Sequence, residues 1–355
     1  MAEILGLGIT HYPPLCLPDA QMSGILRWTL DDPAIPPEER DPRAWSEAMR
    51  AEWSDDFGTR AARLHREALV AGLDHVRSRL DEFKPDVVII WGDDQYENFH
   101  EDVIPPFAIC AYDDVELRPW AHASASSAMK GRDNVWNEEA SFGYRLRGRP
   151  DVARQLVASL IESEFDVAYA YKPLHHASVA HAFMNSILYL DYHRRGYEHP
   201  TICFPLNCYG RRVVSCRGFM TRMNRQVDFD PPSPSPKRFM DLGAATARAL
   251  RDSPFRVALL ASSSWSHAFL VDSTWRLRPD TERDRSLYAA MIDADYGHWR
   301  STSLKEVEDA GQQEVLNWWT LLGAMEALGA KLEWSQFVET HIFNSNKVFA
   351  IFGSR

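Results

Sequence analysis

Five short apolar runs in this 355-residue chain are followed by a side chain that can bind a metal or move a proton. His11 follows Gly8-Ile9-Thr10, and Asp93-Asp94-Gln95 follows Trp91 across one glycine. His175 and His176 follow Tyr171 through Lys172-Pro173-Leu174, Asn207 follows Leu206, and His267 follows Ala261 through a serine-rich pentapeptide. Imidazole and carboxylate groups are ordinary donors for divalent metals. An imidazole, with a free pKa near 6.5, also takes up and returns protons near neutral pH. A single histidine after a strand is usually a cap or a satisfied core residue. Five such exits, each with a His, Asp or Asn, point to a shared site.

Known short motifs contribute little. Gly6-x-Gly8 lacks the third glycine of a dinucleotide fingerprint, and no G-x-S-x-G elbow is present, so Ser266-His267 is not read as a hydrolase pair. The group His175, His176 and His181 could ligate a metal, but the spacing is not H-E-x-x-H, and His181, on a following helix, reads as structural. The cluster Asn317-Trp318-Trp319 reads as a packing face. Five scattered cysteines without a C-x-x-C pair argue against a disulfide framework or a thiolate zinc site.

The elements that must position these residues follow from hydropathy patterning. Apolar runs at 4–9, 86–91, 107–111, 166–171, 201–206, 255–261 and 347–352 show little alternation, as strands covered on both faces do. Between them, 59–80, 151–162, 236–251 and 312–328 carry apolar residues three and four apart. This alternation predicts an α/β fold, a single layered domain over 1–355 with a mostly parallel central sheet flanked by helices. Ligands of such sheets bind beyond the carboxyl ends of the strands, where the five polar exits fall. Residues 17–58, rich in proline and charge and carrying Trp28, Trp45 and Trp53, read as an inserted excursion that covers the pocket. Residues 230–237, DPPSPSPK, read as a surface loop.

Composition narrows the class. With 39 basic and 50 acidic residues the formal charge is −11, which argues against nucleic acid or an anionic membrane as partner. No apolar run approaches the roughly 18 residues of a membrane span, and the N-terminus lacks the pattern of a signal peptide. An apolar share of 45% is ample for a folded core. A cytoplasmic protein is expected.

Taken in order, these segments resemble the class III extradiol ring-cleaving dioxygenases, the group of the protocatechuate 4,5-dioxygenase β-subunit. The resemblance rests on Gly8-Ile9-Thr10-His11, on WGDDQYENFHEDVIPPFAI at 91–109, and on the FDVAYAY run with His175 after it. It extends through FPLN, Ser266-His267 and His341-Ile342-x-x-Ser345-Asn346. It implies a non-haem Fe(II), or another divalent metal, and a small aromatic substrate of catechol, hydroquinone or aminophenol type that is opened with O2. It further implies a homo-oligomer, in some relatives with a small partner subunit closing the pocket. By position, His11 and Glu282 match metal ligands, His267 the acid/base and His175 a second histidine near the substrate. Asn207 and Asn346 match polar positions near the site. The family's second histidine ligand falls on Gln95, a weaker donor for Fe(II). Gln95 itself, or His65 on the inward face of the first long helix, would complete the site. The alternative is a non-oxidative relative, either a zinc hydrolase or a silent ligand-binding protein.

Overall fold

A computed structural model describes residues 2–121, 132–176, 178–212, 216–218 and 228–353. The unalternating apolar runs are strands: β1 (Glu3–Ile9), β2 (Val87–Asp93), β3 (Ala108–Cys110), β6 (Ala168–Ala170), β7 (Thr201–Leu206), β8 (Arg256–Ser262) and β10 (Lys347–Gly353). Three strands were not foreseen: β4 (Val115–Leu117), β5 (Tyr144–Leu146) and β9 (Lys331–Val338). β9 alternates polar with apolar residues and stays half-exposed, as a sheet-edge strand can.

Among the described residues the central sheet has six strands in the order β7-β2-β8-β1-β10-β9. The first four are parallel, and β10 is antiparallel to both β1 and β9. Successive side chains of a strand point to opposite faces, and two cores divide accordingly. Val87, Ile89 and Trp91 belong to one, Val88 and Ile90 to the other. The first face is covered by α2 (Pro150–Glu162), α4 (Pro236–Arg251) and α6 (Leu316–Leu328). The second is covered by α1 (Thr59–Phe83) and α3 (His181–Leu190). The helix α5 (Thr281–Ile292) flanks the first core through Leu287 and Met291. Close packing of α6 explains a glycine in β1: a Cβ on Gly8 would lie 2.1 Å from the Trp318 ring. No helix among the described residues is long and apolar enough to cross a membrane.

The excursion 17–58 is more ordered than its composition suggests. It holds short helices at Asp19–Met22, Gly24–Leu30, Pro37–Arg40 and Glu47–Trp53, and it buries Trp45 and Trp53 in the core that also contains Leu5 and Ile9. Glu52 Oε2 accepts from Thr340 Oγ1 at 2.9 Å, His341 N at 2.9 Å and Ile342 N at 3.1 Å. The excursion therefore pins the turn that leads into β10.

The topology gathers distant residues at one edge. The carboxyl ends of β1, β2, β7 and β8 lie together because these strands are parallel. β10 runs the other way, so its start brings Asn346 and Lys347 to that same edge.

Candidate metal centre and its surroundings

His11 leaves β1 beside the end of β8, where Ile9 pairs with Ser262. Its Nδ1 is 3.0 Å from Ser262 Oγ, which is 2.6 Å from Ser186 Oγ of α3. Ser186 Oγ also reaches the Ala182 carbonyl at 2.5 Å. Ser186 Oγ is the donor towards Ser262 Oγ, and this serine pair lines the Nδ1 edge of the His11 ring. Nε2 faces away from the serines.

Two buried carboxylates lie where Nε2 points. Asp93, the last residue of β2, holds Oδ1 3.8 Å from it, and Glu314 holds Oε2 3.5 Å from it. Neither oxygen has a hydrogen-bond partner, and the two residues are 0% and 2% exposed. His267 approaches the same Glu314 oxygen, with Nε2 at 3.4 Å, while its buried Nδ1 has no partner. His181, the first residue of α3, completes the group. One donor atom each from His11, Asp93 and His181 lie within 4.8 Å of one another.

The opposite oxygens of the carboxylates are tied down. Gln95 Nε2 lies 3.0 Å from Asp93 Oδ2, 3.1 Å from Glu314 Oε1 and 3.0 Å from Tyr209 Oη. Tyr209 Oη also donates to Glu314 Oε1. His181 is held by Glu97, whose Oε2 accepts from its backbone N at 2.9 Å and whose Oε1 meets Nδ1 at 2.5 Å.

Burial acts on every group here. It pushes Glu314 up, with the Asp93 charge adding to it, and it raises Asp93. Burial lowers His11, as do the neighbouring imidazoles of His181 and His267. Burial and then the Lys347 ammonium hold His267 down at about 3. Burial alone would lower His181 as well, but Glu97, with Asp93 and Glu314, more than offsets it and carries His181 up to about 10. Two bare carboxylate oxygens facing an imidazole nitrogen form a donor set that suits a divalent metal better than a proton.

A further buried carboxylate braces the residues around this group. Asp284 on α5 accepts from Ser266 N at 3.1 and 3.0 Å, Gln312 Nε2 at 2.7 Å and Asn346 Nδ2 at 2.9 Å. It so joins the segment of His267, the segment of Glu314 and the start of β10. Lys347, fully buried, donates to Phe343 O at 2.9 Å and Ser345 O at 2.5 Å and lies 3.6 Å over the Tyr12 ring.

The positions expected from the sequence divide clearly. His11, Gln95 and His267 come together at the edge of the sheet. Glu282 does not: it is exposed on the first turn of α5, which turns Asp284 inward instead, and the carboxylate that meets His11 and His267 is Glu314. His65 is buried but packs against the rings of Tyr12 and Phe343, at 6.2 and 4.9 Å, outside the donor cluster. His175 is on the surface, where Nε2 meets Asp102 at 2.8 Å and its ring stacks on His100 at 4.2 Å. Asn207 Oδ1 caps a turn by accepting from Gly210 N at 2.9 Å.

Glu314 carries no signal of the strand-exit kind, and His181, weighed as a ligand with His175 and His176 but read as structural, lies instead beside His11 and Asp93. Each is a lone ionisable residue at the N-terminal brink of a nearly wholly apolar helix, in QEVLNWWTLLGAM and AHAFMNSILYL. That position is a usable signal, because the start of a buried helix delivers its polar residues directly to a sheet edge.

Comparison with known proteins places the chain in a family. The family model for the catalytic LigB subunit of aromatic ring-opening dioxygenase matches residues 53–350. A Pseudomonas putida protein named 2,3-dihydroxyphenylpropionate/2,3-dihydroxicinnamic acid 1,2-dioxygenase 2 is 25% identical over 241 residues, 68% of this chain and 58% of that protein. A Paraburkholderia xenovorans (strain LB400) protein, named as a 1,2-dioxygenase of the same compounds, is 25% identical over 191 residues, 54% of this chain and 46% of its own length. The chain spans about half the length of the curated relatives it matches. With the family model covering most of its residues, the chain belongs to the LigB family of aromatic ring-opening dioxygenase catalytic subunits.

Proposed function

We propose that this chain opens an electron-rich aromatic ring with O2, using Fe(II) held at the sheet edge by His11 and Glu314. The observation that carries this reading is the pair of unpartnered, buried oxygens, Asp93 Oδ1 and Glu314 Oε2, facing His11 Nε2. The substrate class is a dihydroxylated or aminohydroxylated ring, by likeness to the compounds in the relatives' names and to the family as a whole.

Bound Fe(II) would bring a catecholate and O2 to adjacent positions and pass electron density between them. The protein's own groups hold and shield that site. Ser262, backed by Ser186, holds the direction of the His11 ring. His267 rests as a neutral imidazole with a partnerless Nδ1, so it can accept a phenolic proton and return it later. It sits 3.4 Å from the Glu314 carboxylate, which would stabilise the imidazolium while the proton resides there. The excursion 17–58 holds the Thr340–Ile342 turn and would exclude water from this side. His175, paired to Asp102 on the surface, is given no proton-transfer step.

The test is metal analysis of protein purified without oxygen, then O2 uptake with catechols, hydroquinones and aminophenols after Fe(II) loading. Uptake with ring-cleavage absorbance supports the proposal, and its loss in His267→Gln supports the acid/base role. A second reading rests on Gln95, where the resemblance would place a histidine ligand. Stoichiometric zinc, with no O2 uptake after iron loading, would select a non-oxidative relative instead.

A further inference from the structure

We propose that His181 supplies the second imidazole of this metal centre, and that Gln95 has become a positioning residue for its two carboxylates. The cradle would then be His11, His181, Asp93 and Glu314, two imidazoles and two carboxylates drawn from four separate elements. The inference deepens the reading of the site as a metal centre and rests on it.

Three observations lead here. First, an amide NH2 has two protons, and the Gln95 nitrogen lies 3.0 and 3.1 Å from one oxygen of Asp93 and one of Glu314. Turning the amide over would set its carbonyl against both carboxylates, so the donor orientation is fixed by its neighbours. The Gln95 oxygen therefore points away from the cradle. Second, the carboxylate oxygens Gln95 does not hold are the two that face His11 Nε2 with no partner. Gln95 thus orients both carboxylates from behind. Third, His181 has its donor atom within 4.8 Å of those of His11 and Asp93, and Glu97 grips it at Nδ1 and at the backbone nitrogen. A carboxylate on one imidazole nitrogen is the usual device for orienting the other towards a metal. His65 meets none of these conditions.

A second carboxylate gives the centre one more negative charge than two imidazoles with a single carboxylate, and a harder donor set overall. Mn(II) is therefore a suitable spectroscopic probe. The experiment is equilibrium binding of Mn(II) to the metal-free full chain, followed by electron-spin-echo detection of coupled imidazole nitrogens. The wild type should bind one ion per chain with two imidazoles. His181→Gln should weaken binding by at least about 10-fold and leave one imidazole. Gln95→Ala should keep both imidazoles, and His65→Ala should match the wild type. Glu97→Gln, which keeps the His181 ring, should weaken binding without removing an imidazole, so the assignment survives if His181→Gln fails to fold.

Two imidazoles in His181→Gln, or one imidazole in Gln95→Ala or in His65→Ala, would overturn the assignment while leaving the metal centre standing. No binding by the wild type, with the fold intact by circular dichroism, would overturn the metal reading itself.

Discussion

Replacing Asp284 by alanine should uncouple the segments that carry His267 and Glu314, and the cost can be worked from its contacts. Three buried donors converge on this carboxylate: Ser266 N–H, Gln312 Nε2 and Asn346 Nδ2. A buried donor left unsatisfied costs about 1–3 kcal/mol. Water entering the small space vacated recovers part of this, so about 3 kcal/mol is expected at pH 5. Burial pushes the Asp284 carboxyl up to about 7, from an ordinary value near 4. A group raised in the folded state contributes stability that is complete below its unfolded value and is lost as pH rises through the folded one. The wild type therefore loses this contribution between about pH 4 and 7, at up to about 1.4 kcal/mol per pH unit, and the alanine variant does not. The gap between them should close by most of its size between pH 5 and pH 8. Urea unfolding of both chains in metal-free buffer at the two pH values measures it, since all other titrating groups are shared. A gap under about 1 kcal/mol at pH 5, or one that widens towards pH 8, would refute the idea that a strained buried carboxyl braces the site.

Three other outcomes are expected. Gly8→Val should destabilise by about 1–3 kcal/mol or more, because its side chain enters the Trp318 ring, and a Tm equal to wild type would contradict that packing. Glu52→Ala should speed amide exchange at His341 and Ile342 about 10-fold or more, while exchange inside β8 stays unchanged; equal rates at the two amides would mean that Glu52 does not hold the turn. The thiols of Cys16 and Cys110, pushed up to about 12 by burial, and of Cys203 and Cys208, raised by the same cause, should resist an aromatic disulfide reagent at pH 8 until the chain is unfolded. Rapid native labelling of any of the four would be at odds with that.

Residues at the carboxyl ends of strands were the legible part of the site. A strand such as Val87–Asp93 announces itself by unbroken apolar residues, and the polar residue that ends it can only lie at the sheet edge. His11, Asp93 and His267 were visible for that reason. Residues brought in by helix starts were not, because where a helix begins in space depends on how its body docks. The choice between Glu282 and Glu314 shows the difference. Both sit at helix starts, but Thr281–Ile292 is charged and leaves Glu282 in its first turn outside, while Leu316–Leu328 is largely apolar and is driven into the core together with the turn before it, which holds Glu314. The reversal of β10 was equally hidden: strand direction depends on the crossing that precedes it, and nothing in Lys347–Gly353 encodes which way it runs.

The tryptophans behind the edge of the sheet give the molecule an optical handle. Trp265, two residues before His267, meets Trp318, four residues after Glu314, edge to face at 5.5 Å and touches Trp299 at 6.0 Å; Trp299 in turn meets Trp319 at 4.6 Å. All four indoles are sealed from solvent. Their coupled transitions should dominate the near-ultraviolet circular dichroism and report, without any label, every rearrangement that passes between those two loops.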